Sequence, residues 1–223
     1  MALTTLSSIQ PRAGGFLVSE AEHFRSREQI VVLSGQVLKA GHVLGKVVVG
    51  ASAVSAPASG NTGNGVMGAV TAGNAARVGT YQLVIIEAAA NAGRFEVADP
   101  NGLIIGTGSV GVAFAGGGLS FTLADGATDF VAGDRFSITI SGGTEKFKEY
   151  NPANTDGSQF PAAISWDVYD ASAADVNGAA VVRDAQVNVA ELTWFSGATS
   201  GQIAAAIALM AGEPMRVIAR PSV

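Results

Sequence analysis

Gln29-Ile-Val-Val-Leu-Ser-Gly-Gln-Val-Leu-Lys-Ala-Gly-His-Val-Leu-Gly-Lys-Val-Val-Val49 sets three short aliphatic runs around two glycine-bearing breaks, Ser34-Gly35 and Lys39-Ala-Gly41. Val and Ile fit the pleated, half-buried surface of a sheet, and glycine permits the turns between strands. The spacing predicts strands over 29–33, 36–38 and 42–49, a run of short paired strands and not a helix. Further strand patterns lie at 162–169, 179–183, 186–189 and 215–220. One stretch breaks the pattern. From Ser200 to Ala211, Ile203, Ile207 and Met210 fall at i, i+4 and i+7, the period of a helix with one apolar face. Ser200 is a candidate cap for its first turn, and Gly212 and Pro214 end it. The fold class expected is mainly β, with one C-terminal helix.

Between these two strand-rich blocks the composition changes. Of 29 glycines, 18 lie between Ala58 and Gly143, a stretch whose basic residues are Arg77, Arg94 and Arg135. Val54-Ser-Ala-Pro-Ala-Ser-Gly-Asn-Thr-Gly-Asn-Gly65 reads as a linker at its left edge, and Ser141-Gly-Gly-Thr144 does the same at its right. The middle is therefore expected to be an inserted domain, 58–143, within a discontinuous host of 16–57 and 144–223, after an N-terminal arm of residues 1–15. Insertions are tolerated where a host loop is exposed and its ends lie close together. Thr80–Glu87, Gly93–Ala98, Leu103–Ile105, Leu119–Leu123 and Arg135–Ile140 alternate as strands. Asp99-Pro-Asn-Gly102 is a turn sequence between two of them. A small β-sandwich is the expected architecture of the insert.

Composition narrows function. There are no cysteines, which excludes thiolate chemistry and Cys-based zinc sites. With 13 basic and 18 acidic residues the net charge is −5, without the basic stripe a nucleic-acid binder needs. The longest apolar run, Ile203–Ala211, is far short of the roughly 20 residues of a membrane span. The start shows no basic segment leading into an apolar one, so synthesis and folding in the cytoplasm are expected. Gly106-Thr-Gly-Ser-Val-Gly111 matches GxGxxG, but Val-Ala-Phe-Ala-Gly-Gly-Gly118 after it cannot form the helix a dinucleotide site requires. A β-turn or bulge is expected there. His23 and His42 lie apart, and Asp125, Asp129 and Asp134 lack the alternate spacing of a calcium loop, so they read as turn carboxylates. No catalytic constellation emerges: no enzyme activity, cofactor or metal is expected.

Ser26-Arg-Glu-Gln-Ile-Val-Val-Leu-Ser-Gly35 with Gln36-Val-Leu-Lys-Ala-Gly-His-Val-Leu-Gly-Lys-Val47 resembles the N-terminal block of the lambda-type head decoration proteins of tailed phages and prophages. The segments 162–171, 180–188 and Leu192-Thr-Trp194 with the following helix resemble that family's C-terminal block. The short members have only a brief connection where this chain carries its insert. The resemblance implies a homotrimer, docking on the outside of an expanded capsid at local threefold sites, and an arm that pairs with the major capsid protein. On that reading Leu3, Leu6, Ile9, Pro11 and Arg12 are the capsid-binding candidates. Trp194, Ile203, Ile207 and Met210 are candidates for trimer contacts, since the alanine-rich helix allows a neighbour to approach closely. The alternative is a carbohydrate- or cell-surface-binding module, with the insert as its working part and the host as scaffold. Trp166, Tyr169, Trp194 and Phe195 are expected as core, trimer contact or a carbohydrate platform, and the insert's aromatics, Tyr81, Phe95, Phe114, Phe121, Phe130 and Phe136, as its core.

Overall fold

The computed structural model describes residues 11–73 and 75–221. In chain order the elements are β1 (Leu17–Glu20), α1 (His23–Ser26), β2 (Arg27–Val32), β3 (Gln36–Leu38), β4 (Val43–Lys46) and β5 (Val49–Pro57). There follow β6 (Thr71–Ala72), β7 (Gly79–Ala89), β8 (Ala92–Ala98), β9 (Ile104–Ser109), β10 (Ala113–Gly116), β11 (Leu119–Thr122) and β12 (Arg135–Gly142). The chain closes with β13 (Phe147–Glu149), β14 (Pro161–Ser165), β15 (Tyr169–Ala171), β16 (Val176–Val181), β17 (Ala185–Asn188), α2 (Ser200–Ala211) and β18 (Val217–Arg220). The protein is mainly β, with its one long helix near the C-terminus.

The chain divides into two compact units. The first comprises Met1–Val47, Glu145–Asn154 and Ser158–Val223, and the second Val48–Thr144 with Thr155–Gly157. In the first, five strands close into a barrel in the order β13-β2-β16-β14-β4. Closure removes the unpaired edge that an open sheet would expose. Ile30, Val32, Leu38, Leu44, Ala163, Ala180 and Val182 pack together as one core cluster. A second cluster joins Phe16, Val43, Ile164, Val187 and Val217 to Ala206 and Met210 of α2. A three-stranded sheet, β1-β17-β18, and the pair β15-β3 complete this unit. The helix cap lies one residue before the expected Ser200. The Thr199 hydroxyl accepts the Gln202 amide N–H, and the Gln202 side chain accepts from the Thr199 backbone, a reciprocal box that Ser200 has no partner three residues on to form.

The second unit is a two-layered sandwich: a five-stranded sheet, β5-β12-β7-β8-β9, faces a three-stranded one, β10-β11-β6. Period-two alternation puts Tyr81, Leu83 and Ile85 of β7, Phe95 and Val97 of β8, and Phe136, Ile138 and Ile140 of β12 into one core. Phe114 and Phe121 enter it from the smaller sheet. This unit begins ten residues before the expected start, because β5 pairs with β12 from Val49↔Gly142 to Pro57↔Phe136. The supposed linker is part of the sandwich too. Thr62 and Gly63 donate backbone N–H groups to the Asp134 carboxylate at 2.9 Å each. Side chains at Gly63 or Gly65 would collide with the Phe130 ring, so these glycines let the loop lie flat against it. The GxGxxG stretch is largely β9, and a Cβ on Gly108 would fall 2.4 Å from the Phe95 ring. Its glycines make room for aromatic packing.

Candidate functional site

Of the capsid-binding candidates, Leu3, Leu6 and Ile9 lie outside the described residues. Pro11 is half-buried and Arg12 exposed. From Arg12 the chain makes a turn, with the Gly15 N–H donating to the Arg12 carbonyl at 2.9 Å and the Leu17 N–H to that of Gly14 at 3.0 Å. The Gly14-Gly15 pair is thereby held within a hydrogen-bonded turn. The Gly14 N–H donates to the Trp166 carbonyl at 2.8 Å, and φ of +66° puts Gly14 in the left-handed region. A Cβ there would stand 2.3 Å from the Trp166 ring, so only glycine permits this approach.

Trp166 anchors a small stack on the first unit. Its own N–H donates to the Ala179 carbonyl at 3.0 Å. Phe16 meets it edge-on, with centroids 6.3 Å apart. The Arg27 guanidinium lies 3.4 Å from the ring centroid, a cation–π contact worth about 0.5–2 kcal/mol depending on desolvation. Glu20 grips the same guanidinium in a bidentate pair, with Nε to Oε2 at 2.9 Å and Nη2 to Oε1. β1, β2 and β14 thus bring Glu20 and Arg27 to Trp166, directly beside the turn from which the chain runs back toward its N-terminus. Sequence reading missed this stack. A Pro followed by a Gly pair marks the turn, but nothing local links Gly14 and Arg27 to Trp166.

Among the trimer-contact candidates the structure separates core from surface. Met210 is fully buried inside its own protomer, so the apolar face found by periodicity points inward. Ile203, Ile207 and Trp194 are half-buried, Trp194 packing edge-on against Tyr150 at 6.1 Å. Leu209, which the period skipped, is 52% exposed. The helix's outer side also shows Ala204, Ala205 and Ala208 to solvent.

The ionisable groups hold structure. His42 is buried, with Nδ1 accepting the Lys39 backbone N–H at 2.8 Å and Nε2 lying 3.6 Å from Glu149 Oε1. Burial, reinforced by the Lys39 charge, lowers its pKa to about 4. At neutral pH the imidazole is therefore uncharged and the contact with Glu149 is not an ion pair. Burial pushes the Glu149 carboxyl up. At Asp134 burial opposes ionisation, but three backbone N–H donors outweigh it and hold the carboxyl below its ordinary range. Arg25 and Arg216 both pair with Asp184, each through Nε at 2.9 Å. Among the described residues no group of three metal-binding side chains gathers, and no helix is long and apolar enough to cross a membrane. All six aromatics of the insert, Tyr81, Phe95, Phe114, Phe121, Phe130 and Phe136, are buried, as core packing of its strands requires.

Comparison with known proteins gives one informative match. The solved structures matched include FlgL of Xanthomonas campestris, at 20% identity and TM-score 0.33, covering 46% of this chain and 34% of that one. FlgK, the hook junction protein of Burkholderia pseudomallei, matches at 21% identity and TM-score 0.34, covering 59% of this chain and 23% of that one. This chain thus spans about a third or less of those structures, and likeness at this level carries no argument. No curated protein matches. The family described as Bacteriophage lambda head decoration protein D matches residues 6–212, almost the whole chain and both blocks of the first unit. This chain belongs to the head decoration protein family.

Proposed function

We propose that this protein is a non-catalytic cementing protein. It binds the outside of the expanded phage head as a homotrimer at local threefold sites and stabilises the shell against internal DNA pressure. The observation that carries the reading is the family match over residues 6–212, which supports a role in decorating a phage capsid. Its physical basis is mass action: a protein that binds the expanded shell better than the unexpanded one stabilises the expanded state at every equivalent site. It is made in the cytoplasm of the bacterial host and ends on the outer surface of the virion.

Residues before the Gly14 turn, with Leu3, Leu6, Ile9, Pro11 and Arg12, supply much of the affinity for the major capsid protein. Thr4, Thr5, Ser7, Ser8 and Pro11 favour an extended segment that borrows hydrogen bonds from a sheet edge. Ordering such a segment costs about 1–2 kcal/mol per residue in backbone entropy, which new backbone pairing and apolar burial offset. Trp194, Ile203 and Ile207, with Leu209, form the surface where protomers meet. The test is reconstitution on expanded and unexpanded heads, with occupancy read by electron cryomicroscopy and mass. We expect three copies around each local threefold site of expanded heads and little binding to unexpanded ones. A stable dimer both free and on the shell overturns the assembly.

A further inference from the structure

We infer that the Trp166–Arg27–Glu20 stack is a positioning device that aims the N-terminal segment from the folded body. The inference rests on the reading that this segment binds the capsid, and it assigns the parts that set its direction. Three observations carry it. The Gly14 N–H is bonded to the Trp166 carbonyl at 2.8 Å, and Gly14 approaches the Trp166 ring more closely than any residue with a Cβ could. The ring is itself immobilised, by Phe16 edge-on and by the Arg27 guanidinium 3.4 Å from its centroid. Arg27 cannot swing off the ring freely, because Glu20 holds it through two hydrogen bonds and is largely buried, with 14% side-chain exposure.

Phe16 and Trp166 also serve the body, since Phe16 belongs to the second core cluster and Trp166 packs against it, whereas the side chains of Arg27 and Glu20 belong to neither cluster. The barrel core is made by Ile30, Val32, Leu44, Ala163 and Ala180, which do not take part in the stack. What the stack fixes is the Arg12–Gly15 turn, and with it the point and heading at which the chain before Pro11 starts. A segment leaving in a set direction searches fewer orientations before it meets a sheet edge, so less ordering entropy remains to be lost on docking. Gly14 and Arg27 are positioning residues: on this inference they act on the capsid through the segment and make no contact of their own.

A double-mutant cycle tests this on the full chain with expanded, undecorated heads as the binding probe. Five variants are compared with the unchanged protein: deletion of residues 2–10, Gly14→Ala, Arg27→Met, and each substitution combined with the deletion. Gly14→Ala places a methyl against the ring at a backbone angle that L residues disfavour, and Arg27→Met keeps the apolar stem while removing the guanidinium. Melting of each variant checks that the body is folded; should Gly14→Ala unfold it, Arg27→Met carries the test. We expect the deletion to lower capsid occupancy about tenfold, and each substitution to lower it about fivefold in the full chain but less than about twofold in the deleted one. Background dependence is the readout that a merely structural role would not produce. Equal losses in both backgrounds overturn the inference, since the stack would then touch the shell or support the body. A tenfold loss on deletion with no loss on either substitution also overturns it, while the segment's role in docking stands. No loss on deletion overturns both.

Discussion

The two units of this protein solve the same packing problem with different materials. The inserted sandwich is built on rings: Phe95 lies 6.0 Å from Phe121 and 5.8 Å from Phe114, which lie 5.0 Å from each other, and Phe130 meets Phe136 edge-on at 5.7 Å. Its glycines clear space beneath those rings. The barrel unit packs Val, Ile, Leu and Ala with Phe16, Tyr150, Met210 and Met215, and both units bury polar groups: Ser26, His42, Ser158, Gln159 and Ser165 in the barrel unit, Asp99 and Asp134 in the insert. Large rings over glycine give one thick core that sustains itself. The barrel unit instead divides its apolar groups between two clusters. The difference teaches that each unit has core clusters of its own and should answer to its own core substitutions.

The widest break in that comparison is excision. Replacing 48–144 with a short Gly-Ser loop is expected to leave a barrel that melts cooperatively and still binds heads. Replacing 58–143 instead strands β5 without β12, exposing an unpaired edge, and that protein is expected to aggregate. Differential scanning calorimetry and light scattering distinguish the two; a barrel unfolded by the first excision would show that the units are not separable. Within the insert, Phe95→Ala is expected to cost about 3–5 kcal/mol, because the cavity adds to the lost burial. Two-probe melting should place the whole loss in the sandwich transition, with the barrel unmoved. A shift shared by both transitions would break the division.

The barrel unit has an acid-sensitive group of its own. His42 has its pKa lowered to about 4 in the fold against 6.5 unfolded, so as pH falls below 6.5 the unfolded chain takes up the proton first. The stability present above that point is lost progressively down to about pH 4, by up to roughly 3 kcal/mol. His42→Asn, whose amide oxygen can accept the Lys39 N–H, should flatten the melting temperature of the barrel transition over this window. An unchanged slope would assign acid sensitivity to other groups.

How much of this was legible depended on distance along the chain. The helix, the alternation of Tyr81, Leu83 and Ile85, and the Asn101-Gly102 turn are local, and residues close in sequence specify them. The left edge of the insert misleads because Val54–Gly65 has a linker's composition; whether such a stretch is loose depends on Phe130 and Asp134, which lie far along the chain. Met210 misleads in another way: helical spacing identifies an apolar face but not whether that face meets its own core or a neighbour.

By itself the sequence determined that this is a mainly β protein with one capped helix, two blocks of a decoration-protein host and a glycine-laden insert, because periodicity, turn chemistry and block order are written in neighbouring residues. Only the tertiary structure decided that the insert begins at Val48 and that Gly14, Arg27 and Glu20 gather on Trp166. Those facts depend on which strands pair and which side chains meet across long loops, and burial and hydrogen bonding settle such contacts only when the whole chain has closed on itself.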